Sequence, residues 1–296
     1  MSIIRLEEGA RRVGEVLSSL GVHEFEFTAR DFERVRTMLY DRAGISISAR
    51  KRDMVYSRLA RRLRRHGLDR FSTYLDSLDA LDEVQAFVNA LTTNLTAFFR
   101  EEHHFSIMSD YVRERGKPAG LRVWSAAAST GEEAYSIAMT LAELYGSIKP
   151  PVRILASDID TEVLETGIKG LYPIARLDDV PQPLLSKYFQ RGTGANAGLA
   201  RVDPALREII DFAQINLLAP PTIAEERFDI IFCRNVLIYF DRAGQRQVLE
   251  RLHGRLKEGG LLMLGHSESL RESVDLFAAL GRTAYRKLTT PVQASA

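Results

Sequence analysis

Two adjoining segments decide the fold: Leu121-Arg122-Val123-Trp124-Ser125-Ala126 and Ala127-Ala128-Ser129-Thr130-Gly131. The first segment predicts a strand, and the second predicts a tight loop that leads into a helix from Glu132 to about Tyr145. A strand, a small-residue loop and a helix in this order are typical of a nucleotide-type α/β domain. The loop holds a single glycine, so the G-x-G-x-x-G pattern of dinucleotide-binding folds is absent.

The alternation of strands and helices continues beyond these segments and predicts a doubly wound, Rossmann-like sheet of parallel strands. The rhythm breaks at about residues 184–210, where Arg191-Gly192-Thr193-Gly194 and short apolar pairs predict a small antiparallel β-subdomain. Further strands are predicted at Val152–Ser157, Asp211–Leu217, Phe228–Cys233 and Leu261–Leu264, and further helices at Asp160–Gly170 and Arg242–Leu256.

A different pattern precedes the sheet domain. Residues 28–92 show helical periodicity with no strand signal, which predicts an all-α N-terminal domain. Thr28 with Asp31 indicates the first helix N-terminus, and Gly44 and Gly67 indicate the ends of the first two helices. We therefore divide the chain into an extension (1–27, beginning with a short helix), the helical domain (28–92), the sheet domain (93–290) and a tail (291–296).

Composition limits the class of protein. The 296 residues carry a net charge of +1, and Cys233 is the only cysteine, so no internal disulfide can form. A single cysteine fits a reducing compartment. The N-terminal residues lack the apolar core of a signal peptide, and no apolar run approaches the roughly 18 residues of a membrane span. We expect a soluble, cytoplasmic, monomeric protein with no membrane insertion.

The carboxyl ends of the predicted strands carry the candidate ligand residues. In open α/β sheets, ligands bind at this edge. Asp158 directly follows the second strand and can hold ribose hydroxyls, whereas Asp160 is better placed to cap the next helix. Glu133 can contact a ligand, or it can form a capping box with Thr130.

The third and fourth strands end in further polar residues. Asn216 and Leu217 can read and cover an adenine, or they can simply form a strand-end turn. Cys233 is expected in the core, and Arg234, Asn235 and Tyr239 follow it toward the reacting end of a ligand. An acid for ribose without a phosphate cradle or a Walker lysine favours S-adenosylmethionine over NAD or ATP.

The segment Thr93–Phe105 precedes the first strand and contains aromatic, short polar and charged residues. We expect it to cover the ligand with apolar side chains, hydrogen bonds and the charge of Arg100. His103 and His104 are adjacent, and adjacent residues on a helix point about 100° apart. We therefore expect no shared metal.

Eight basic residues and one acid lie between Arg50 and Arg65. Such a helix cannot neutralise its charge through i,i+4 pairs, so we expect it to bind an acidic partner. Because aromatic residues are not interleaved for base stacking, a protein is favoured over nucleic acid. On a helical wheel the charged stripe consists of Lys51, Arg58, Arg61, Arg62 and Arg65.

These segments resemble the chemoreceptor glutamate O-methyltransferases, the CheR family of bacterial chemotaxis. The resemblance implies S-adenosylmethionine as methyl donor, receptor glutamates as acceptors, and no nucleic-acid partner. It implies receptor methylation helices as partners of Arg58, Arg61, Arg62 and Arg65. The loop Arg191-Gly192-Thr193-Gly194 resembles that of members tethered to a receptor's C-terminal peptide. The matching segments are Thr93–Phe105, Val123–Ser136, Ala156–Leu164, Asn216–Leu218, Phe232–Asp241 and Gly265–Glu268, and the implied donor contacts are Asn94, Thr96, Arg100, Glu133, Asp158, Asn216, Leu217, Arg234 and Asn235.

A glutamate acceptor needs no general base, because its carboxylate, with a pKa of about 4.3, is already ionised at neutral pH. We expect Arg100 and Tyr239 to be the catalytic residues. Arg100 would hold the donor's carboxylate, and Tyr239 with Arg234 would orient the acceptor, Arg234 partly through its backbone. Two alternatives are a nucleic-acid methyltransferase that uses the basic helix on phosphates, and a sensor that binds S-adenosylmethionine without turnover.

Overall fold

A computed structural model describes residues 24–219, 227–268, 270 and 274–288. The expected helix within residues 1–20 and the expected tail 291–296 lie outside these residues. The described residues form two compact units: residues 24–42 with 46–91, and residues 43–45 with those from 92 onward. Within the described part of the chain, no helix is both long enough and apolar enough to cross a membrane.

The first unit is helical, as its periodicity predicts. The predicted N-terminus is confirmed, because Asp31 accepts the Thr28 N–H and Thr28 Oγ1 accepts the Asp31 N–H (3.0 and 3.1 Å). Gly67 ends the second helix in the left-handed conformation. The helices are α1 (Ala29–Ala43), α2 (Arg52–His66), α3 (Phe71–Asp76) and α4 (Val84–Leu91), and a 3₁₀ turn (Ala49–Lys51) precedes α2.

The second unit contains a seven-stranded sheet in the order β6-β2-β1-β7-β8-β10-β9. Strands β6, β2, β1, β7 and β8 are parallel, and β10 is antiparallel to both β8 and β9. Its strands are β1 (Leu121–Ala126), β2 (Val152–Asp158), β6 (Ile210–Gln214), β7 (Phe228–Cys233), β8 (Leu256–Leu264), β9 (Phe277–Gly281) and β10 (Ala284–Lys287), and its main helices are α5 (His103–Glu114), α6 (Glu132–Tyr145), α7 (Thr161–Lys169) and α10 (Arg242–Arg255).

A small antiparallel sheet, in the order β3-β5-β4, interrupts the alternation between α7 and β6. It begins before the expected segment 184–210, because its first strand is β3. That strand has three residues and ends at Pro173, so it leaves little pattern in the sequence. The elements are β3 (Leu171–Pro173), α8 (Gln182–Tyr188), β4 (Phe189–Arg191), β5 (Leu199–Val202) and α9 (Pro204–Arg207), with 3₁₀ turns at Ile174–Arg176 and Gly194–Asn196.

The last strands of the large sheet differ from expectation. Strand β8 begins at Leu256, five residues before the predicted strand, and Gly259 and Gly260 lie in an irregularity of its pairing with β7. Glycines within a strand often mark such a bulge. Strands β9 and β10 were not predicted, since much of β9 is exposed and lacks a buried alternation.

Side chains of successive residues pack on opposite faces of the large sheet. Val123 and Ile230 belong to the core on one face with α5 and α6, whereas Trp124 and Ile231 belong to the core on the other face with α10. The parallel strands are buried on both sides, as expected of a doubly wound sheet. The predicted fold class is confirmed.

Candidate active site

The switch point of the large sheet lies between β1 and β7. The chain builds β1, β2 and β6 toward one edge and then returns to place β7 on the other side of β1. Ligands of open α/β sheets bind outside the carboxyl ends of the strands at such a point. The residues that follow β1, β2, β6 and β7 therefore define the candidate site.

The loop after β1 depends on backbone conformations that small residues tolerate. Ala127, Ser129 and Gly131 all have positive φ angles (74°, 50° and 93°). A Cβ on Gly131 would lie 3.0 Å from the Gly167 Cα and 3.1 Å from the Tyr172 hydroxyl, so a side chain there would be strained and crowded. The glycine is thus required by the turn into α6 rather than by a phosphate.

Asp158 ends β2 and is buried. Its Oδ1 accepts the Asp160 N–H (3.0 Å), and its Oδ2 accepts the Ser129 N–H (2.9 Å). Burial raises the pKa of Asp158, and the backbone hydrogen bonds oppose that rise only in part. Because a carboxylate oxygen accepts more than one hydrogen bond, both oxygens retain capacity for ribose hydroxyls.

Asp160 caps α7, as predicted: its Oδ1 accepts the N–H groups of Glu162 and Val163 (2.9 and 3.4 Å). Its other oxygen accepts hydrogen bonds from Thr92 Oγ1 (2.7 Å) and Asn94 Nδ2 (2.6 Å). This carboxylate therefore also holds the start of the segment that precedes α5. The sequence pattern does not predict these hydrogen bonds from Thr92 and Asn94.

The two acids that open α6 have different partners. Thr130 Oγ1 donates to Glu132 Oε2 (2.6 Å), and Glu132 is also paired with Arg176. The alternative of a Thr130–Glu133 capping box is wrong, because Gly131 is the N-cap and Glu133 faces Ser125 instead. Ser125 Oγ donates to Glu133 Oε1 (2.6 Å). Burial raises the pKa of Glu133, against the opposing charge of Arg234.

Arg234 follows β7, and its side chain is only 2% exposed. The guanidinium donates to Glu133 Oε2 (3.2 Å) and to the carbonyl of Arg100, and it lies 3.6 Å from Glu101 Oε2. Of the expected role of Arg234 in orienting the acceptor, these contacts favour the part assigned to its backbone over any part for its guanidinium. A buried guanidinium that donates to Glu133 and to the Arg100 carbonyl is turned toward the protein interior and away from an incoming protein.

The segment before α5 makes a sharp turn around Arg100. Phe99 and Glu101 both have positive φ (53° and 55°), which is unusual for bulky residues. The Phe99 N–H donates to Ser136 Oγ (2.9 Å), and an Arg100 Nη donates to the Leu95 carbonyl (3.0 Å). This turn leaves the Arg100 side chain partly exposed.

The aromatic residues of this segment are not ligand cover. Phe98 is fully buried and packs edge-on against Tyr172 and Phe189, and Phe99 packs against Phe105. Phe98 therefore does not supply the expected apolar cover, because the small antiparallel sheet provides a core for it. The apolar side chain that the segment exposes is Leu95, which is 80% exposed.

Glu101, His103 and His104 each place one potential metal-ligand atom within 4.8 Å of the others. The two rings converge, against expectation, because Nε2 of each lies near the Arg282 carbonyl (3.2 and 3.0 Å). Burial lowers the pKa of His104 to about 4, so its ring is neutral. The Arg234 guanidinium beside Glu101 repels a cation, and we assign no ion to this cluster.

The remaining strand ends are simpler. Asn216 Oδ1 accepts the Leu218 N–H (2.9 Å), so the strand-end turn considered for this residue is present. Asn216 and Leu217 are both partly exposed. Cys233 is buried in the core, as expected, and burial raises its pKa well above the usual range, which excludes a reactive thiolate.

Similarity to known proteins agrees with this arrangement. Residues 94–286 match the family described as "CheR methyltransferase, SAM binding domain", and residues 30–92 match "CheR methyltransferase, all-alpha domain". The chain belongs to the CheR methyltransferase family. Chemotaxis protein methyltransferase 2 of Pseudomonas aeruginosa is 51% identical over 90% of this chain and 95% of its own length. Chemotaxis protein methyltransferase of Escherichia coli K12 is 50% identical over 86% and 89%, respectively.

The family makes this chain an S-adenosylmethionine-dependent methyltransferase of chemotaxis, and the site fits that donor. Glu133 and Asp158 offer carboxylates to amino and hydroxyl groups. The loop after β1 holds no lysine or arginine for a phosphate. These similarities lend no support to the nucleic-acid enzyme or to the sensor considered above.

The basic helix α2 lies in the family's all-alpha domain. Arg62 is not on the free face as expected: it is 13% exposed and ion-paired with Glu83, which also lies 2.8 Å from His66 Nε2. Leu59 and Leu63, on the neighbouring stripe, are fully buried, and Glu83 directly precedes α4. Arg58 is half-buried, with an Nη 3.4 Å from the Ala90 carbonyl. Lys51, Arg61 and Arg65 are exposed.

The predicted tether loop joins β4 to β5. A Cβ on Gly192 would lie 2.2 Å from the Asn196 carbonyl oxygen, so the hairpin itself requires that glycine. Gly194 has a positive φ (57°) and an open surrounding. Strand β4, which ends at Arg191, forms one edge of the small sheet.

Sequence reasoning missed several residues that build the site. Ser125 and Ser129 hold Glu133 and the Asn94 carbonyl, respectively. Glu101 and Glu268 are acids beside the functional segments. Ser125, Ser129 and Glu268 lie in segments quoted for the resemblance, as does Glu101, but only their tertiary partners show what they do.

Proposed function

We propose that this methyltransferase acts on the γ-carboxylate of glutamates in the cytoplasmic methylation helices of chemoreceptors. The observation that carries the proposal is the chemistry of the partly exposed side chains at the site, Asn94, Thr96, Arg100, Asn235 and Tyr239. Each of these side chains carries a hydrogen-bond donor group, and Arg100 also carries a positive charge. Such groups suit anionic ligands: we assign Arg100 to the donor's carboxylate and Tyr239 to the acceptor's carboxylate. The Asn94 amide, by contrast, already donates to Thr92 and Asp160.

Glu133, Asp158 and His104 are not placed as general bases. Glu133 and Asp158 are held by protein donors, and His104 is buried with Nε2 on a carbonyl. An amine or hydroxyl acceptor would have to lose a proton during the reaction, whereas an ionised glutamate does not. The residues therefore suit a carboxylate acceptor better than a nucleic-acid base or an alcohol.

The reaction joins two opposite charges. S-adenosylmethionine supplies a sulfonium methyl group: a carboxylate oxygen forms the new C–O bond while the C–S electron pair returns to sulfur. The chain's own contribution is alignment and exclusion of water, which can supply roughly 7–11 kcal/mol. We assign Arg100 to the donor's carboxylate and Tyr239 to the acceptor.

We assign the donor contacts to the residues at the strand ends. Asp158 would take the ribose, Glu133 the donor's amino group, and Asn216 with Leu217 the adenine. Asn94, Thr96, Arg100, Arg234 and Asn235 complete the set, Arg234 through the groups it holds rather than through its own guanidinium. All of these residues belong to one unit of one chain, which suits a monomer.

The basic helix is the proposed receptor-binding surface, with a revised composition. Arg61 and Arg65 replace Arg62 as its principal members, since they are exposed and, in the described part of the chain, have no ion pair. Arg58 and Lys51 flank them. An acidic helix of a receptor would supply the missing counter-charges. This partner lies in the cytoplasm, which agrees with the single, unpaired cysteine.

We further propose that a receptor's C-terminal peptide adds a strand to β4. An edge strand offers unpaired backbone groups to an extended peptide, and Arg191 beside Gly192 and Gly194 can receive an acidic peptide. Fluorescence titration with such a peptide checks this: Arg191→Glu should weaken binding, while identical affinity would remove the hairpin from this role.

Transfer of a labelled methyl group tests the main proposal. Enzyme, methyl-labelled donor and membranes rich in chemoreceptors should give a labelled receptor, and mild base should release the label as methanol. Base-stable label would indicate N-methylation and contradict the proposal. Donor binding without any transfer to receptors would indicate the sensor. Receptors with Gln in place of the acceptor Glu residues serve as the control and should take up no label.

A further inference from the structure

Glu268 lies buried behind the segment that follows β7, and its carboxylate accepts four backbone N–H groups. Its Oε1 accepts those of Val236 (2.9 Å) and Leu237 (2.8 Å), and its Oε2 accepts those of Asn235 (2.9 Å) and Gly265 (2.6 Å). Its residue is 5% exposed. Hydrogen bonds to an ionised acceptor are among the strong ones.

In the described part of the chain, the hydrogen-bond donors to this carboxylate are backbone N–H groups. Among the described residues, no lysine, arginine or histidine forms an ion pair with Glu268. Successive N–H groups that converge on one anion form a nest, an arrangement known from anion-binding sites. Here the anion belongs to the protein, so the nest fixes the conformation of residues 235–237 instead of binding a ligand.

The fixed conformation is one that the backbone would not adopt freely. Asn235 has a φ of +57°, in the left-handed region. Its neighbour in space, Gly265, admits no side chain: a Cβ there would lie 2.4 Å from Asn235 Nδ2 and 2.8 Å from Glu268 Oε2. Strained backbone conformations of this kind persist when the surroundings determine them.

The carbonyl side of the same segment is held from α10. Gln245 Nε2 donates to the carbonyls of Leu237 (3.0 Å) and Phe240 (3.1 Å). Between these two supports lies the 3₁₀ turn Leu237–Tyr239. The segment from Asn235 to Tyr239 is thus held through its N–H groups on one side and through its carbonyls on the other.

We propose that Glu268 is the positioning residue of the methyl-transfer site. It fixes Asn235 toward the donor and Tyr239 toward the acceptor, without touching either substrate itself. This inference rests on the proposed function, because that function assigns Asn235 and Tyr239 their roles. The inference adds a physical reason for an acidic residue at position 268: its carboxylate holds the backbone that carries Asn235 and Tyr239.

Glu268→Gln tests the proposal, because the amide keeps the size of the side chain but turns one acceptor into a donor that faces two N–H groups. A misplacement of the segment should lower kcat about 100-fold. The dissociation constant for S-adenosylhomocysteine, measured by calorimetry, should rise about tenfold through Asn235, which corresponds to the loss of one good contact. Amide hydrogen exchange at residues 235–237 should accelerate, while that of β1 and β2 should not.

A double-mutant cycle separates positioning from general stability. In a Tyr239→Phe background, Glu268→Gln should lower kcat much less than in the wild type, since both changes remove the same alignment. Asp229→Asn is the matched control. Asp229 lies near the amino end of β7 and accepts the Arg122 N–H (2.8 Å) and Lys257 Nζ, so its loss should lower stability with kcat unchanged.

Several results would overturn the inference. Fully additive effects of Glu268→Gln and Tyr239→Phe would show a structural role alone, and so would an unchanged kcat. If the wild type binds S-adenosylhomocysteine but esterifies no receptor, the proposed function fails, and Glu268 is then judged by the binding constant and the exchange rates: both unchanged would refute it. If Glu268→Gln does not fold, Gln245→Leu loosens the same segment, and a kcat within twofold of wild type would refute it equally.

Discussion

Helix α2 and the donor site each combine an inward-facing arginine with arginines that reach solvent. In α2, the Arg62 side chain faces inward to Glu83 and is 13% exposed, while Arg61 is exposed. At the donor site, Arg234 is buried against Glu133 and Glu101 while Arg100 is partly exposed. In both regions we assign the outward arginine to a ligand, and the inward one pairs with carboxylates of the protein itself.

The two inward-facing arginines, Arg62 and Arg234, nevertheless have different hydrogen-bond partners. Arg62 pairs with the Glu83 side chain and so ties α2 to α4 within the helical unit. Arg234 donates to the carbonyl of Arg100 itself, so it supports the very residue assigned to the donor. The charge is the same in the two cases and the Arg234 side chain is the more deeply buried, at 2% exposed against 13% for Arg62. We expect the partner to decide whether the arginine affects stability alone or also catalysis.

The largest expected effects come from removing each inward-facing arginine. Arg234→Ala removes the arginine paired with the largely buried Glu133, which should lower the free energy of unfolding by about 3–5 kcal/mol. Arg62→Ala should lower it by less, because Glu83 keeps contacts with His66 and Tyr74. Below the melting temperature, only Arg234→Ala should also lower kcat, by about 100-fold. Urea unfolding and methyl-transfer kinetics on the same samples check both values. A matching loss of kcat in Arg62→Ala would erase the distinction.

The outward arginine of the donor site should show the reverse pattern. Arg100→Ala should lower kcat/KM by about 10²–10³-fold, as loss of a charged group aimed at the reacting molecules does. Its stability should change by less than about 0.5 kcal/mol, because the side chain is partly exposed and its bond to the Leu95 carbonyl is local. A strongly destabilised Arg100→Ala would mean that this arginine, too, is structural.

The sequence predicts the outward residues of both regions better than the inward ones. Asp158, Asp160 and the doubly wound sheet follow from strand ends and periodicity, which are local. The partner of Arg62 is twenty-one residues away at Glu83, and that of Arg234 is a carbonyl in another segment. A helical wheel records only direction from the axis, so it placed Arg62 with Arg61 on one charged face. Whether a charged side chain contacts solvent or another helix depends on the tertiary structure.

The same limit applies to the acids. Glu133 was assigned to a ligand or to a cap by its position at a helix start, and the structure excludes the cap because Gly131 takes that place. Glu268 lies in a segment that carries the family resemblance, but the sequence assigns it no function. Its four hydrogen-bond donors come from two segments that are distant in sequence. Sequence patterns detect the first kind of residue and miss the second.

The exposed arginines of α2 should affect encounter with the receptor and little else. Arg61→Glu with Arg65→Glu should raise the KM for receptor about tenfold at low salt, and added salt should shrink the difference, because exposed charges are screened beyond about 10 Å at 0.1 M. S-adenosylhomocysteine affinity should not change. Arg30→Glu, an exposed change on α1 of the same unit, is the control. An equal rise in KM for this control would reduce the effect to net charge.

The smallest effect concerns pH and the buried partner of Arg234. Burial raises the pKa of Glu133, and its ionised form is the better acceptor for the donor's amino group. As pH falls, Glu133 takes up its proton earlier than an ordinary glutamate, of pKa about 4.3, so donor affinity should begin to fall above that value. Asp158 also has a raised pKa and acts in the same direction. Glu133→Gln should therefore reduce the acidic loss of S-adenosylhomocysteine affinity without abolishing it, and an unaltered pH profile by calorimetry would remove Glu133 from the donor contacts.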